Sequence, residues 1–313
     1  MPNPPYRAGF IGLGIMGANM AANLFKAAGA LALHDMRHEA ADRLLAGGAT
    51  WAPTPRALAE QCDVVFLSLP GPPEVEAVAL GPDGVLAGLK PGAACFDLST
   101  NSPTVVRRIH AEFEERGAHF LDAPVSGGPR GAASGKLALW VGGDEAVFAR
   151  HRAALDAIGD QARWLGAIGA GTVAKLVHNC AGYVLTVALA EVFTMGVKAG
   201  AEPLALFEAI RQGAFGRRRT FDGLADQFLT GIYEPPSFAL RLAHKDVSLA
   251  TALGREVGVP MRLANLTLEE MTEARARGWD GQDSRSCMKL QIERAGVDVI
   301  VDPERLKQAM SNG

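Results

Sequence analysis

The sequence predicts a doubly wound α/β domain followed by an all-α domain. Three observations predict it. A short apolar strand runs into Gly12-Leu13-Gly14-Ile15-Met16-Gly17 and then into a helical pattern. Five further apolar strands recur as far as residue 143. Beyond Gly171 the strand pattern stops and long helical stretches replace it. At 313 residues the chain exceeds what one compact core usually holds, so two domains are expected, 1–168 and 169–313.

The opening unit is strand 8–13, a glycine turn, helix 16–28 and strand 31–34, ending at Asp35. Such a turn suits a dinucleotide. Gly12 allows the tight bend, Gly14 lets the backbone approach a pyrophosphate, and Gly17 lets helix and strand pack closely. The helix start then offers free N–H groups to the phosphates. Asp35 stands where a carboxylate accepts hydrogen bonds from the adenine ribose, which favours NAD over NADP; Arg37 just beyond is the group that would accept a 2'-phosphate. Strands follow at 63–70, 93–98, 119–122 and 138–143, read as a continuing parallel sheet. Ligands of such sheets sit beyond the carboxyl ends of the strands, which gathers the Leu69-Pro70 loop, the Ser99-Thr100 loop and the 122–128 loop on one edge. Ser99 and Thr100 also suit capping of a helix starting near Pro103. Ser126-Gly127-Gly128 is a glycine turn whose successive N–H groups and hydroxyl suit a small carboxylate.

In the second half, 172–199 is a long, mostly apolar, proline-free stretch, read as a helix buried between neighbours. Helical patterns follow at 203–212, 221–229, 244–257 and 263–277, with a short apolar run near Val297. Lys175 and Asn179 are one turn apart on the long helix and project from one face. Lys245-Asp246 is a second conspicuous pair, with helix-surface charge as its plainest reading; Arg217-Arg218-Arg219 reads as a solvated turn, the alternative being a run that faces the cleft and selects a more acidic substrate.

Composition narrows the classes. Net charge is −3 with both signs scattered, and mean hydropathy is +0.09, so neither nucleic acid nor a membrane surface is expected as partner. Cys62, Cys95, Cys180 and Cys287 are far apart, form no CxxC and carry no metal-ligand spacing; reduced, buried thiols are expected. Residues 1–6 lack a basic start, and glycines interrupt the apolar stretch after them. That reads as a cytoplasmic chain without a signal peptide.

These motifs in combination resemble the β-hydroxyacid dehydrogenase family: Gly9 to Gly17, Asp122 to Gly128 with Gly131-Ala132 and Gly135, Gly169 to Asn179, and Lys245-Asp246. The likeness runs from Gly9 to about Gln291. It implies a Rossmann domain followed by a 6-phosphogluconate dehydrogenase-like all-α domain, and NAD(P)-dependent oxidation of a small 3-hydroxy acid, or the reverse. It implies Lys175 as catalytic acid/base. Ser126, Gly127, Gly128 and Asn179 would hold substrate. Gly12, Gly14, Ile15, Met16, Gly17, Asp35, Leu69, Pro70, Thr100 and Lys245 would line NAD or NADP. A homodimer or homotetramer is implied. His178 stands where family members often carry asparagine, Trp140 where smaller residues are common, and Arg217 to Arg219 where substrate-selecting residues are found. An imine reductase, or a dinucleotide-binding protein without catalysis, shares the architecture but lacks the lysine.

Overall fold

The computed structural model describes residues 6–213, 216–218 and 222–311. The chain divides into two compact units between Val177 and His178, inside the helix Ala170–Lys198. The sequence boundary at 168/169 marks the start of that helix; the division lies within it.

The first unit is built on one nine-stranded sheet. The strands are β1 (Ala8–Ile11), β2 (Ala32–His34), β3 (Thr50–Trp51), β4 (Val64–Leu67), β5 (Ala94–Asp97), β6 (His119–Asp122), β7 (Val125–Ser126), β8 (Ala138–Gly142) and β9 (Gln161–Gly166). Their order is β3-β2-β1-β4-β5-β6-β8-β7, with β9 also on β8. Strands β1, β4 and β5 are buried along their whole length, as apolar strands covered on both faces should be. Phe10, Phe66 and Phe96 stack across them on one face, with ring centroids 6.4 and 5.5 Å apart. Ile11, Val65, Leu67 and Cys95 fill the opposite face. The strand order reverses direction at β1 and β4, which opens a crevice at their carboxyl ends.

The parallel pattern stops earlier than the sequence predicts. β8 pairs antiparallel with both β6 and β7. The chain turns back through the short helix Gly128–Ser134, so β7 and β8 pair as a hairpin would. β9 then returns parallel to β8 as an edge strand.

The second unit is helical, as expected. Its core joins Phe193, Phe207, Phe228, Leu240, Val247 and Met271 from separate helices. Helices Pro203–Gln212, Leu240–Glu256 and Arg262–Ala276 match predicted stretches, the second beginning earlier than its pattern. The stretch 221–229 is not a regular helix: only Asp222–Ala225 form a 3-10 turn, and Phe221 lies outside the described residues. No strand forms near Val297; Val299 and Val301 are simply buried there, and the last helix among the described residues is Pro303–Ser311. Asp283, fully buried, accepts the backbone N–H groups of Ser237 and Arg285 and ties two irregular segments together.

The long helix departs from expectation. In the apolar eighteen-residue window within Ala170–Ala190 only 22% is buried within the chain. Val177 is largely exposed and Leu185 partly so. By length and composition alone this segment could also cross a membrane.

Candidate active site

The glycine turn passes a steric test for a dinucleotide. A Cβ on Gly12, whose φ is +93°, would lie 2.2 Å from the Ser68 carbonyl oxygen; one on Gly17 would lie 1.9 Å from the Gly12 carbonyl oxygen. Both positions exclude a side chain because the backbone is already there. Around Gly14 a Cβ would meet nothing within 4 Å. That opening is the space a pyrophosphate needs. Ile15 projects outward at the same turn, while the Met16 side chain packs partly against the core.

Asp35 sits just past β2 and its carboxylate is fixed on both oxygens. Oδ2 accepts the Leu13 N–H at 2.6 Å, and Oδ1 accepts the Arg37 N–H at 2.9 Å. One carboxylate therefore holds the glycine turn to the end of β2. The Arg37 guanidinium lies 4.0 Å away and is mostly exposed.

The Leu69-Pro70 and Ser99-Thr100 loops are joined through a buried network that sequence reasoning missed. Leu69 N–H donates to Ser99 Oγ at 2.9 Å. Ser99 N–H and Asn101 Nδ2 in turn donate to the two oxygens of Asp97, at 3.0 and 2.8 Å. Asp97 is fully buried, and burial pushes its carboxyl up to about 6 against these hydrogen bonds. Ser99 therefore braces the Leu69-Pro70 loop. It does not cap the next helix: Ser102 holds the N-cap of Pro103–Glu115, without a side-chain capping bond.

Asp122 stands beside Asp97 in register. It is fully buried and accepts the N–H of Gly169 at 2.7 Å and of Thr172 at 2.5 Å. Burial raises its carboxyl, opposed by these two bonds. It thus caps the start of the helix that carries Lys175. The backbones crowd here: a Cβ on Gly171 would come 2.0 Å from the Trp140 carbonyl oxygen, and one on Gly142 would come 2.5 Å from Asp122 Oδ1.

Four residues after Asp122, Ser126 ends β7. Gly127 and Gly128 follow with φ of +133° and +61°, both in the left-handed region that glycine tolerates. No protein atom lies within 4 Å of a Cβ built on Gly128. The first unit thus brings the glycine turn, Asp35, the Leu69-Pro70 and Thr100 loops, Ser126-Gly127-Gly128 and the half-buried Lys175 to the carboxyl edge of one sheet.

In the second unit Asn179 Nδ2 donates to Asp246 Oδ2 at 2.7 Å, and Lys245 Nζ pairs with Asp246 Oδ1 at 3.0 Å. Asp246 is fully buried, so the reading of this pair as helix-surface charge is wrong for the aspartate. It links Lys245 to Asn179, a connection invisible in the sequence. Arg217 is exposed and donates to the Gln212 carbonyl; Arg219 lies outside the described residues.

Comparison with known proteins agrees with this arrangement. Residues 7–188 match the NAD binding domain of 6-phosphogluconate dehydrogenase, and residues 169–291 match the NAD-binding region of NADP-dependent 3-hydroxyisobutyrate dehydrogenase. The chain is 34% identical to 2-(hydroxymethyl)glutarate dehydrogenase of Eubacterium barkeri, over 94% of its own length and 97% of the relative. It is 36% identical to the NAD-dependent L-serine dehydrogenase of Pseudomonas aeruginosa, over 90% and 96%. A crystal structure of 3-hydroxyisobutyrate dehydrogenase from Salmonella typhimurium superposes with a TM-score of 0.80 at 28% identity, covering 91% of this chain and 99% of that one. The chain belongs to the β-hydroxyacid dehydrogenase family. It is an NAD(P)-dependent hydroxyacid dehydrogenase.

Proposed function

We propose that this enzyme oxidises a small 3-hydroxy carboxylic acid to its semialdehyde or keto acid, or catalyses the reverse reduction, with Lys175 as general acid/base. The observation that carries the reading is the shared anchor at Asp122. The loop ending in Ser126-Gly127-Gly128 begins at this residue, and its carboxylate caps the helix bearing Lys175. A group that binds a carboxylate and a group that moves a proton are thereby held to one point.

The named relatives act on L-serine, 3-hydroxyisobutyrate and 2-(hydroxymethyl)glutarate, each of which places a hydroxyl on the carbon β to a carboxylate. The substrate carboxylate sits on the N–H groups and hydroxyl of Ser126-Gly127-Gly128. Lys175 takes the hydroxyl proton during oxidation and returns it to the alkoxide during reduction. Bound NAD(P)⁺ supplies the acceptor for the hydride that leaves the carbinol carbon. Asn179, fixed by Asp246, orients the substrate beside Lys175. Proton transfer by such a group contributes about 10²–10⁴-fold, and its charge stabilises the developing alkoxide. Gly12, Gly14, Gly17 and Asp35 would hold the dinucleotide, with Leu69, Pro70, Thr100 and Lys245 lining it. The fixed Asp35 carboxylate supports NAD as the preferred form.

The exposed apolar length of Ala170–Ala190 supports a homodimer or homotetramer in which a second copy covers it. Four buried cysteines without disulfides fit a cytoplasmic enzyme. Lys175→Ala tests the central assignment. Turnover should fall about 10²–10⁴-fold while cofactor affinity is kept. Near-normal turnover in this variant would remove Lys175 from the mechanism.

A further inference from the structure

The strand register places a second polar surface beside the Ser126 loop. Ser126 is opposite Ala138 across β7 and β8, and Ala138 is opposite Gln161 across β8 and β9. Trp140 is opposite Arg163 in the same pairing. Paired residues, and residues two apart on a strand, share one face of a sheet. Ser126, Ala138, Trp140, Gln161 and Arg163 therefore share a face. Leu139, Val141 and Ala162 alternate to the other side and join the core.

On the shared face lies a shallow cavity of about 330 Å³, lined by Ala138, Trp140, Gln161, Ala162 and Arg163. Its walls have a definite chemistry. Arg163 presents a guanidinium fork suited to a carboxylate, and among the described residues no carboxylate pairs with it. Gln161 adds an amide. Ala138 leaves the floor low, and the half-buried Trp140 forms an apolar wall.

We propose that this cavity is a second carboxylate subsite, so that the preferred substrate is a 3-hydroxy dicarboxylic acid. The first carboxylate binds at Ser126-Gly127-Gly128 and the second at Arg163 and Gln161, with the intervening methylenes against Trp140. The assignment rests on the reading of the Ser126 loop as the cradle for the first carboxylate. From Ser126 to Arg163 is two strands across and two residues along, roughly 12 Å between Cα atoms. The two side chains span much of that distance, leaving a gap matched by two carboxylates separated by three carbons.

The test compares two substrates of equal length on the full-length enzyme with NAD⁺: 2-(hydroxymethyl)glutarate and 2-(hydroxymethyl)pentanoate, in which a methyl replaces the distal carboxylate. The wild type should favour the diacid in kcat/KM by about tenfold or more, the scale of one charge-assisted hydrogen-bonded pair. Arg163→Gln should erase that preference through KM, leaving kcat and the monoacid unchanged. Arg163→Lys should restore part of it. Calorimetric titration with glutarate and with valerate reads the same subsite without turnover, and only glutarate affinity should depend on Arg163. Turnover of the monoacid with a diacid preference untouched by Arg163→Gln overturns the subsite alone. Turnover of neither acid, and of neither L-serine nor 3-hydroxyisobutyrate, overturns the parent reading, and the glutarate titration then decides the subsite by itself.

Discussion

The carboxylate of Asp122 accepts the backbone N–H of Thr172 at 2.5 Å, across fifty residues of sequence. Its other oxygen accepts Gly169. A capping carboxylate satisfies N–H groups that a helix start leaves open and favours the positive end of its dipole. Here the capped helix carries Lys175 in its second turn, so the cap sets where the lysine stands. Asp122→Ala should lower kcat about ten- to a hundredfold, with cofactor affinity little changed. Asp122→Asn keeps one acceptor oxygen and should recover part of the loss. Equal loss of cofactor affinity and kcat in both variants would mean the residue merely holds the fold.

Gly14 and Gly17 make opposite predictions from one motif. A Cβ at position 17 would collide with the Gly12 carbonyl oxygen, and nothing in the fold lets backbone yield there. Gly17→Ala should therefore destabilise the first unit by several kcal/mol, since overpacking against fixed atoms is costly, on the order of 1–3 kcal/mol even for softer clashes. Gly14→Ala meets no protein atom. It should melt as the wild type does, yet bind NAD⁺ at least about tenfold more weakly, because the methyl enters the pyrophosphate space. Thermal melts with and without NAD⁺ separate the two. A Gly14→Ala protein with undiminished cofactor affinity would show that the pyrophosphate lies elsewhere.

What the sequence showed, and what it hid, divides by distance along the chain. The glycine turn, Asp35 and the long helix are written in neighbouring residues, through strand length, turn chemistry and helical period. Asp122 and Asp246 act on partners 47, 50 and 67 residues away, and no local pattern marks a carboxylate as buried. Asp97 was hidden the same way: it reads as a strand end until Ser99 and Asn101 fold back onto it. The antiparallel turn of β8 was missed because an apolar strand carries no record of its direction. β3 has only two residues, too few to show any period. The burial expected for the long helix was not met within the chain, because an apolar composition does not record what, if anything, packs against it.

Cofactor choice should turn on the charge at position 35 more than on its hydrogen bonds. Asp35→Asn retains an acceptor for the Leu13 N–H, so the glycine turn keeps its shape. It removes the charge that opposes a 2'-phosphate, while Arg37 stays close by. The kcat/KM ratio of NAD⁺ to NADP⁺ should fall by about tenfold or more, equal to about 1.4 kcal/mol. Asp35→Ala should weaken both cofactors because the turn loses its brace. An unchanged ratio in Asp35→Asn would assign the selection to another group.

His151 should make the first unit sensitive to acid. Its ring is almost fully buried, edge-on to Tyr6 and Phe96 at 5.9 and 5.8 Å, and its Nδ1 has no hydrogen-bond partner. Burial, helped by the neighbouring Arg150 charge, pushes its pKa down to about 4 from 6.5. Between those values the unfolded chain binds the proton and the folded one does not. Stability from this residue is therefore complete above pH 6.5 and is lost as pH falls toward 4. Asp97, with its carboxyl raised to about 6, works in the opposite sense: its folded state gains a proton first and is favoured as pH falls. His151→Phe removes the first effect and keeps the second. Relative to the wild type its stability should be nearly constant above pH 6.5 and should improve on acidification, by about 1.4 kcal/mol per pH unit at most. Urea unfolding at pH 8 and pH 5 measures this directly. The same offset between the two proteins at both pH values would show that the His151 ring titrates as freely in the fold as outside it.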